Sequence, residues 1–119
     1  MTKQLIALNV GGILTATKRR TSIRMPASGK IVGVYTSIGG SPLGSTLIVD
    51  VNISDITIFT TQANRPTISI GGCSAVAGTA ANNKFSLGNV ITVDIDQVGS
   101  DKENPGADLT IGLWVDFDY

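Results

Sequence analysis

Residues 109–119 of this 119-residue chain read LTIGLWVDFDY, and this stretch decides the class of fold. Its odd positions are all apolar, whereas its even positions are polar, small or aromatic. Such strict alternation indicates a β-strand with one face on a core and the other face in solvent. The odd positions are Leu109, Ile111, Leu113, Val115, Phe117 and Tyr119, and the even positions are Thr110, Gly112, Trp114, Asp116 and Asp118.

The same period of two recurs upstream. VITVDIDQV (90–98) and LIVDVNI (47–53) alternate, and KIVGVYTSI (30–38) is apolar on both faces, which favours a central strand. DITIFTT (55–61) and PTISI (66–70) complete the predicted set, and no helical period appears. Eight or so short strands separated by glycine- and proline-containing turns predict an all-β fold, a single antiparallel β-sandwich of Greek-key or jelly-roll type.

One domain is expected over residues 1–119, since a chain of this length has room for one core. We interpret residues 1–12 as a leader into the first strand, because Asn9 interrupts the apolar run and no cleavage site follows. The segment GGCSAVAGTAANN (71–83) has little pattern and is predicted to be either a mobile loop or an irregular sheet edge. Its single cysteine, Cys73, excludes an internal disulfide and is expected to be at least half-buried.

The composition argues against an enzyme. The chain contains no histidine, which removes the usual activator of serine and cysteine nucleophiles and a common zinc ligand. We therefore predict no catalytic residue and no cofactor. The net charge is zero, but residues 1–49 carry +6 and residues 50–119 carry −6. If the fold separated these halves into two faces, they would suit head-to-tail assembly.

Four cations cluster in the segment TATKRRTSIRMP (15–26), at Lys18, Arg19, Arg20 and Arg24. An unbroken strand would place Arg19 on the apolar side, so we predict a turn at residues 18–20 between strands near 13–17 and 21–25. The cations would then lie at a loop tip, where they are solvated or contact another subunit. Anionic lipid is an alternative partner. Nucleic acid is a less favoured one, because aromatic residues are not interleaved with the cations.

Two acidic pairs share strand faces, Asp94 with Asp96 and Asp116 with Asp118. Calcium binding is conceivable for a sandwich with acidic turns. No D-x-D-x-D-G loop is present, however, and carboxylates on a strand face are usually solvated, so no metal site is predicted. Trp114, the only tryptophan, falls on the polar face of its strand. There it is expected to anchor an interface, to contact a sugar or membrane, or to be covered by another layer.

Several motifs resemble a β-sandwich module that is widespread in bacteriophage and prophage proteins. At full length the chain is similar to the YomS/XepA-type proteins of prophage lytic cassettes. Relatives usually have Asn-Gly after DVN and glycines near TKRR, where this chain has ISDI and the basic run. The matching residues are Gly33-Val34, Gly39, Pro42, Gly44, Ile48 to Asn52, Asn64-Arg65-Pro66, Asp94, Asp96, Gln97, Val98 and Gly99.

The resemblance implies a C2-like sandwich that assembles into a pentameric disc. It does not imply lysis, since membrane disruption is attributed to a second sandwich found only in the longer relatives. We predict a non-enzymatic, ring-forming phage or prophage structural protein, associated with a lytic cassette, that docks to a partner. A peripheral membrane protein that assists host lysis, and a receptor- or sugar-binding module of a tail or capsid, are the alternatives.

The resemblance also implies a location. Production in the cytoplasm of the host bacterium is expected, with membrane association or a place in the virion left open. The residues predicted to form interfaces, between subunits or with a membrane, are Lys18, Arg19, Arg20, Arg24, Trp114, Asp116 and Asp118.

Overall fold

The computed structural model describes residues 2–119, which form ten β-strands and one 3-10 turn. No helix in this part of the chain is long and apolar enough to cross a membrane. The elements are β1 (Thr2–Ile13), β2 (Thr17–Arg24), β3 (Gly29–Gly40), β4 (Leu47–Ile53), β5 (Ile56–Thr57), the 3-10 turn (Gln62–Asn64), β6 (Thr67–Ile68), β7 (Ser74–Val76), β8 (Lys84–Phe85), β9 (Val90–Gln97) and β10 (Ala107–Phe117).

The strands form two antiparallel sheets, and this confirms the predicted β-sandwich. Sheet A has the order β1-β10-β3-β7, with β8 also beside β3, and sheet B has the order β2-β9-β4-β5, with β6 also beside β4. When the two-residue strands β6 and β8 are left aside, each strand in the first half of the remaining series pairs with one in the second half, and the pairs are nested one within the next. The pairs are β1 with β10, β2 with β9, β3 with β7 and β4 with β5. This pairing is one long hairpin rolled over itself, which is the jelly-roll arrangement.

The core lies between the two sheets and follows the predicted alternation. Val49, Val51 and Ile53 of β4 face inward beside Ile91 and Val93 of β9, and all five are buried. The odd positions of β10 from Leu109 to Phe117 face them from sheet A and are also buried. Each such side chain contributes about 1.5–3 kcal/mol through removal of apolar surface from water.

The interpretation of residues 1–12 as a leader is wrong. Thr2–Ile13 is itself a strand, paired with β10 from Thr2 opposite Phe117 to Ile13 opposite Ala107. Its core contacts come from Ile6, Leu8 and Val10, which face inward at alternate positions. Met1 lies outside the described residues.

The segment 71–83 is an irregular sheet edge, which is one of the two structures predicted for it. Within it, Ser74–Val76 forms β7 and pairs with β3 at the edge of sheet A. Cys73 is exposed, contrary to expectation. The segment consists largely of small residues, which allow it to lie close to the neighbouring strand β3. The same small side chains cover little of the segment itself, and Cys73 is therefore exposed.

The predicted turn at residues 18–20 is a β-bulge within one continuous strand. Thr17 pairs with Ile95 and Thr21 with Val93, so three residues of β2 stand opposite one residue of β9. Arg19 accommodates the extra residues of β2 by adopting a left-handed backbone conformation, with a φ of 52°. Its N–H donates to the Asp94 carboxylate at 2.8 Å. The cations therefore lie along a strand at the edge of sheet B, not at a loop tip.

Gly106 allows the loop before β10 to pass close to the core, and we predict that it is the more sensitive of two matched glycines. A Cβ at this position would meet Leu47 Cδ1 at 2.8 Å and Ile38 Cδ1 at 3.1 Å, and φ is 118°. Gly71 also has a positive φ, of 73°, but nothing lies within 4 Å of its Cβ position.

Gly106→Ala should lower the free energy of unfolding by about 3 kcal/mol, because it adds overpacking to backbone strain. Gly71→Ala should lower it by about 1 kcal/mol, through backbone strain alone. Urea denaturation of the two variants measures the difference. Equal losses would show that close packing at Gly106 does not contribute.

Candidate functional site

The seven predicted interface residues lie on two opposite sheets. Trp114 and Asp116 belong to β10 in sheet A, and Asp118 directly follows that strand. Lys18, Arg19, Arg20 and Arg24 all belong to β2 in sheet B. The structure therefore places them on two separate surfaces of the sandwich.

The outer side of sheet A carries an exposed apolar surface around Trp114, which is itself half-buried. We call this surface the apolar face and define it by Leu5, Val32, Tyr35, Val76 and Trp114. Leu5 pairs with Trp114 across β1 and β10, and Tyr35 pairs with Val76 across β3 and β7. The exposed fractions are 53% for Leu5, 42% for Tyr35 and 69% for Val76. The apolar face thus extends across β1, β10, β3 and β7 of sheet A.

Large side chains of the apolar face lie over two glycines. A Cβ at Gly33 would stand 3.0 Å from the Tyr35 hydroxyl oxygen and 3.5 Å from Trp114 Cβ, so the tyrosine ring lies over the glycine. A Cβ at Gly112 would stand 3.3 Å from Leu5 Cδ1. Val32, Tyr35 and Val76 also line a recess of about 340 Å³ beside this face. An apolar surface with aromatic rings is typical of contacts between proteins.

The apolar face continues into the edge of sheet A. β1 is the terminal strand of that sheet and, within residues 2–119, pairs only with β10. Its outer edge therefore presents free N–H and C=O groups. Long edge strands of this kind can accept a strand from another chain, and proteins commonly block them with charges, proline or a covering segment.

Asp116 and Asp118 differ in accessibility. Asp116 lies on the outer side of β10 as predicted, but it is only 4% exposed, and its Oδ1 has no hydrogen-bond partner among the described residues. Its neighbours in the sheet are Lys3 on β1 and Lys30 on β3. Asp118 is exposed, and its N–H donates to the Ser28 carbonyl at 3.0 Å. Of the two, only Asp118 has the solvated side chain expected from the alternation.

The four cations of β2 are exposed, as expected, but acidic residues lie next to them. The Arg19 guanidinium is 2.7 Å from the Asp55 carboxylate, and both side chains are more than half exposed. An exposed pair of this kind stabilises the fold by about 1 kcal/mol at most. Because the basic strand β2 pairs with the acidic strand β9, the two charged halves of the sequence interleave and do not form separate faces.

Comparison with known proteins gives a likeness at the level of structure. No family model and no curated protein matches the chain. Among solved structures, the core of Drosophila NLP, described for its pentamer formation and histone binding, is similar with a TM-score of 0.48 and 11% identity. The alignment covers 98% of each chain. A likeness at this level supports no conclusion about the assembly or the ligands of this protein.

The left-handed conformation of Arg19 predicts an unusual order of stability for two substitutions. Arg19→Gly and Arg19→Ala both lose the ion pair with Asp55, and both keep the backbone N–H that donates to Asp94. The alanine variant should nevertheless be less stable by about 1 kcal/mol, because a Cβ is strained at this φ. Urea denaturation compares the two. Equal stability would contradict the bulge geometry.

Proposed function

We propose that this protein is a non-enzymatic structural subunit that assembles with further copies of itself into a closed ring. The observation that carries the proposal is the apolar face of sheet A, which is continuous with the unpaired edge of β1. Burial of exposed apolar surface lowers the free energy because it removes that surface from water, and a free strand edge can form hydrogen bonds with another strand. A polypeptide partner satisfies both requirements at once.

Little in the sequence of β1 opposes such a contact. The strand is 12 residues long, contains no proline and carries a single charge, at Lys3. Leu5 presents its side chain on the apolar face, from the strand whose outer edge is free. Tyr35 and Trp114 supply the aromatic contacts that often dominate interface energies.

A ring is compatible with candidate residues on opposite sheets. In a head-to-tail ring each subunit contributes two different surfaces, one for each neighbour. The apolar face would provide the first surface, and the exposed strand β2, with Arg20 and Arg24, would provide the second. An arginine side chain can pack against an aromatic ring and pair with a carboxylate such as Asp118.

The biological setting in this proposal comes from the resemblance to the YomS/XepA-type prophage proteins. On that basis the ring has five subunits, belongs to a phage or prophage lytic cassette and docks to a further partner. The absence of histidine supports a role without catalysis, because it removes the commonest general base.

Leu5→Glu should weaken self-association by at least about tenfold, since it places a charge in the proposed buried contact. The matched control is Ile56→Glu, which makes the same change at a 62% exposed position on the far edge of sheet B. Native mass spectrometry at low and moderate ionic strength measures the oligomer distribution. A wild-type protein that is monomeric at both ionic strengths would overturn the ring, and equal effects of the two variants would remove Leu5 from the interface.

The second surface is tested by Arg20→Glu. Reversal of this exposed charge on β2 should also shift the distribution towards smaller species, because it opposes the acidic residues of a neighbouring subunit. An unchanged subunit stoichiometry in native mass spectrometry would exclude Arg20 from the contact.

A further inference from the structure

Two turns of the same type lie at opposite ends of the sandwich. The turn 86–89 joins β8 to β9, and the turn 69–72 follows β6. In each, the N–H of the fourth residue donates to the carbonyl of the first residue, a serine, at 3.0 Å and 2.8 Å respectively. The third residue is a glycine with a positive φ, 87° at Gly88 and 73° at Gly71, as a type II turn requires. The second residue, Leu87 or Ile70, therefore stands at the corner of its turn.

The corner at Leu87 has further exposed apolar residues beside it. Leu87 is 67% exposed, and its N–H donates to Ser28 Oγ at 3.1 Å. The Ser28 carbonyl accepts from the Asp118 N–H at 3.0 Å, which brings the 65% exposed Tyr119 to the same end of the sandwich. Pro26 is also exposed and lines one recess together with Leu87. We call this surface the Leu87 tip and define it by Pro26, Leu87 and Tyr119.

Cationic side chains lie on both sides of the Leu87 tip. On the side of sheet B, Arg24 Nη2 is 3.3 Å from the position that a Cβ of Gly88 would occupy, so the guanidinium lies against the turn. On the side of sheet A, Lys84 lines a recess with Ser86, the residue before Leu87. Arg24 and Lys84 are both exposed, and neither forms an ion pair within residues 2–119.

The two ends of the sandwich carry opposite charge. At the end with Leu87, the Asp55 carboxylate is paired with Arg19. The side chains left unpaired there have a net charge of +2, from Lys3, Arg24, Lys30 and Lys84 against Asp116 and Asp118. At the end with Ile70, residues 98–108 have a net charge of −2, from Asp101, Glu103 and Asp108 against Lys102. An anionic surface is therefore attracted to the first end and repelled by the second.

We propose that the Leu87 tip docks on an anionic lipid surface, with Leu87 and Tyr119 in the interfacial region of the bilayer and the cations at the lipid phosphates. Insertion removes exposed apolar side chains from water, and tyrosine is favoured at this depth. Arg24 and Lys84 have long side chains, which can reach the headgroups while the turn inserts. Apolar insertion and electrostatic attraction act together in this kind of binding.

This docking goes beyond the proposed ring and does not require it, because every chain carries its own tip. In a ring, rotation alone relates the subunits, so all copies of Leu87 lie at one height along the ring axis. A ring would therefore bring several tips to the same lipid surface at once. Its affinity for that surface would exceed the affinity of one subunit, although no new contact is added.

Cosedimentation with lipid vesicles tests the docking. One set of vesicles contains phosphatidylcholine and phosphatidylglycerol in equal parts, and the other contains phosphatidylcholine alone. At low ionic strength, the wild-type protein should bind the anionic vesicles at least about tenfold more tightly than the neutral ones. High ionic strength should weaken binding to the anionic vesicles, because salt screens the attraction between exposed charges.

Leu87→Glu should lower the affinity for anionic vesicles at least about tenfold, since it replaces an inserted apolar side chain with a repelled charge. Ile70→Glu is the matched control, because Ile70 is 56% exposed at the same position of the same type of turn at the opposite end. It should bind like the wild type.

Lys84→Gln tests the electrostatic part and should lower the affinity about fivefold, through the loss of one cation. Lys84 is preferred to Arg24 for this test, because Arg24 also belongs to the proposed second surface of the ring. The variant should lose less affinity at high ionic strength, where the contribution of each cation is smaller.

Three outcomes would overturn the docking. The wild-type protein could fail to sediment with anionic vesicles at low ionic strength, it could bind neutral vesicles equally well, or Leu87→Glu and Ile70→Glu could reduce binding equally. Native mass spectrometry of the same proteins separates this result from the fate of the ring. Leu87→Glu should leave the oligomer distribution unchanged, and a monomeric wild type that still binds vesicles would overturn the ring alone.

Discussion

The register between β4 and β9 is the constraint on which the other features of the structure depend. It places Val49, Val51 and Val93 together on the core side and Asp50 opposite Asp94 on the outer side. Side chains alternate strictly along a strand, so a slip of one residue would exchange these two sets. Buried carboxylates would then enter the apolar core. The burial of the core and the position of Asp50 and Asp94 on the outer side therefore have one common cause.

The sequence predicts the inner strands of this fold better than its edges. β4 has the predicted limits, and β9 and β10 differ from prediction by only one or two residues at their ends. These strands were predicted well because a sequence rarely alternates over seven or more residues unless it forms a strand. β1 escaped prediction because Leu5, Ile6, Ala7 and Leu8 are apolar at both odd and even positions. Its partner β10 also lies about a hundred residues away, and no local pattern reveals such a pairing.

The candidate surfaces were predictable only strand by strand. Alternation correctly placed Trp114 on the outer side of β10 and Asp94 on the same side as Asp96. It did not reveal that Leu5 and Tyr35 would surround the tryptophan, or that Asp50 would stand opposite Asp94, because these contacts join distant strands. The bulge was missed because its left-handed residue is Arg19, whereas glycine or asparagine is the usual signal at such positions.

The nested order of the strands also has a consequence for how the chain folds. The β4–β5 hairpin, with its two-residue turn at Ser54 and Asp55, is the one pairing between consecutive strands in the described chain. It can form in microseconds, whereas each wider pair must close a longer loop. β1 can join sheet A only when β10 is in place, and the apolar face is complete only after that step. In the proposed ring, folding of each copy would therefore precede its association through this face.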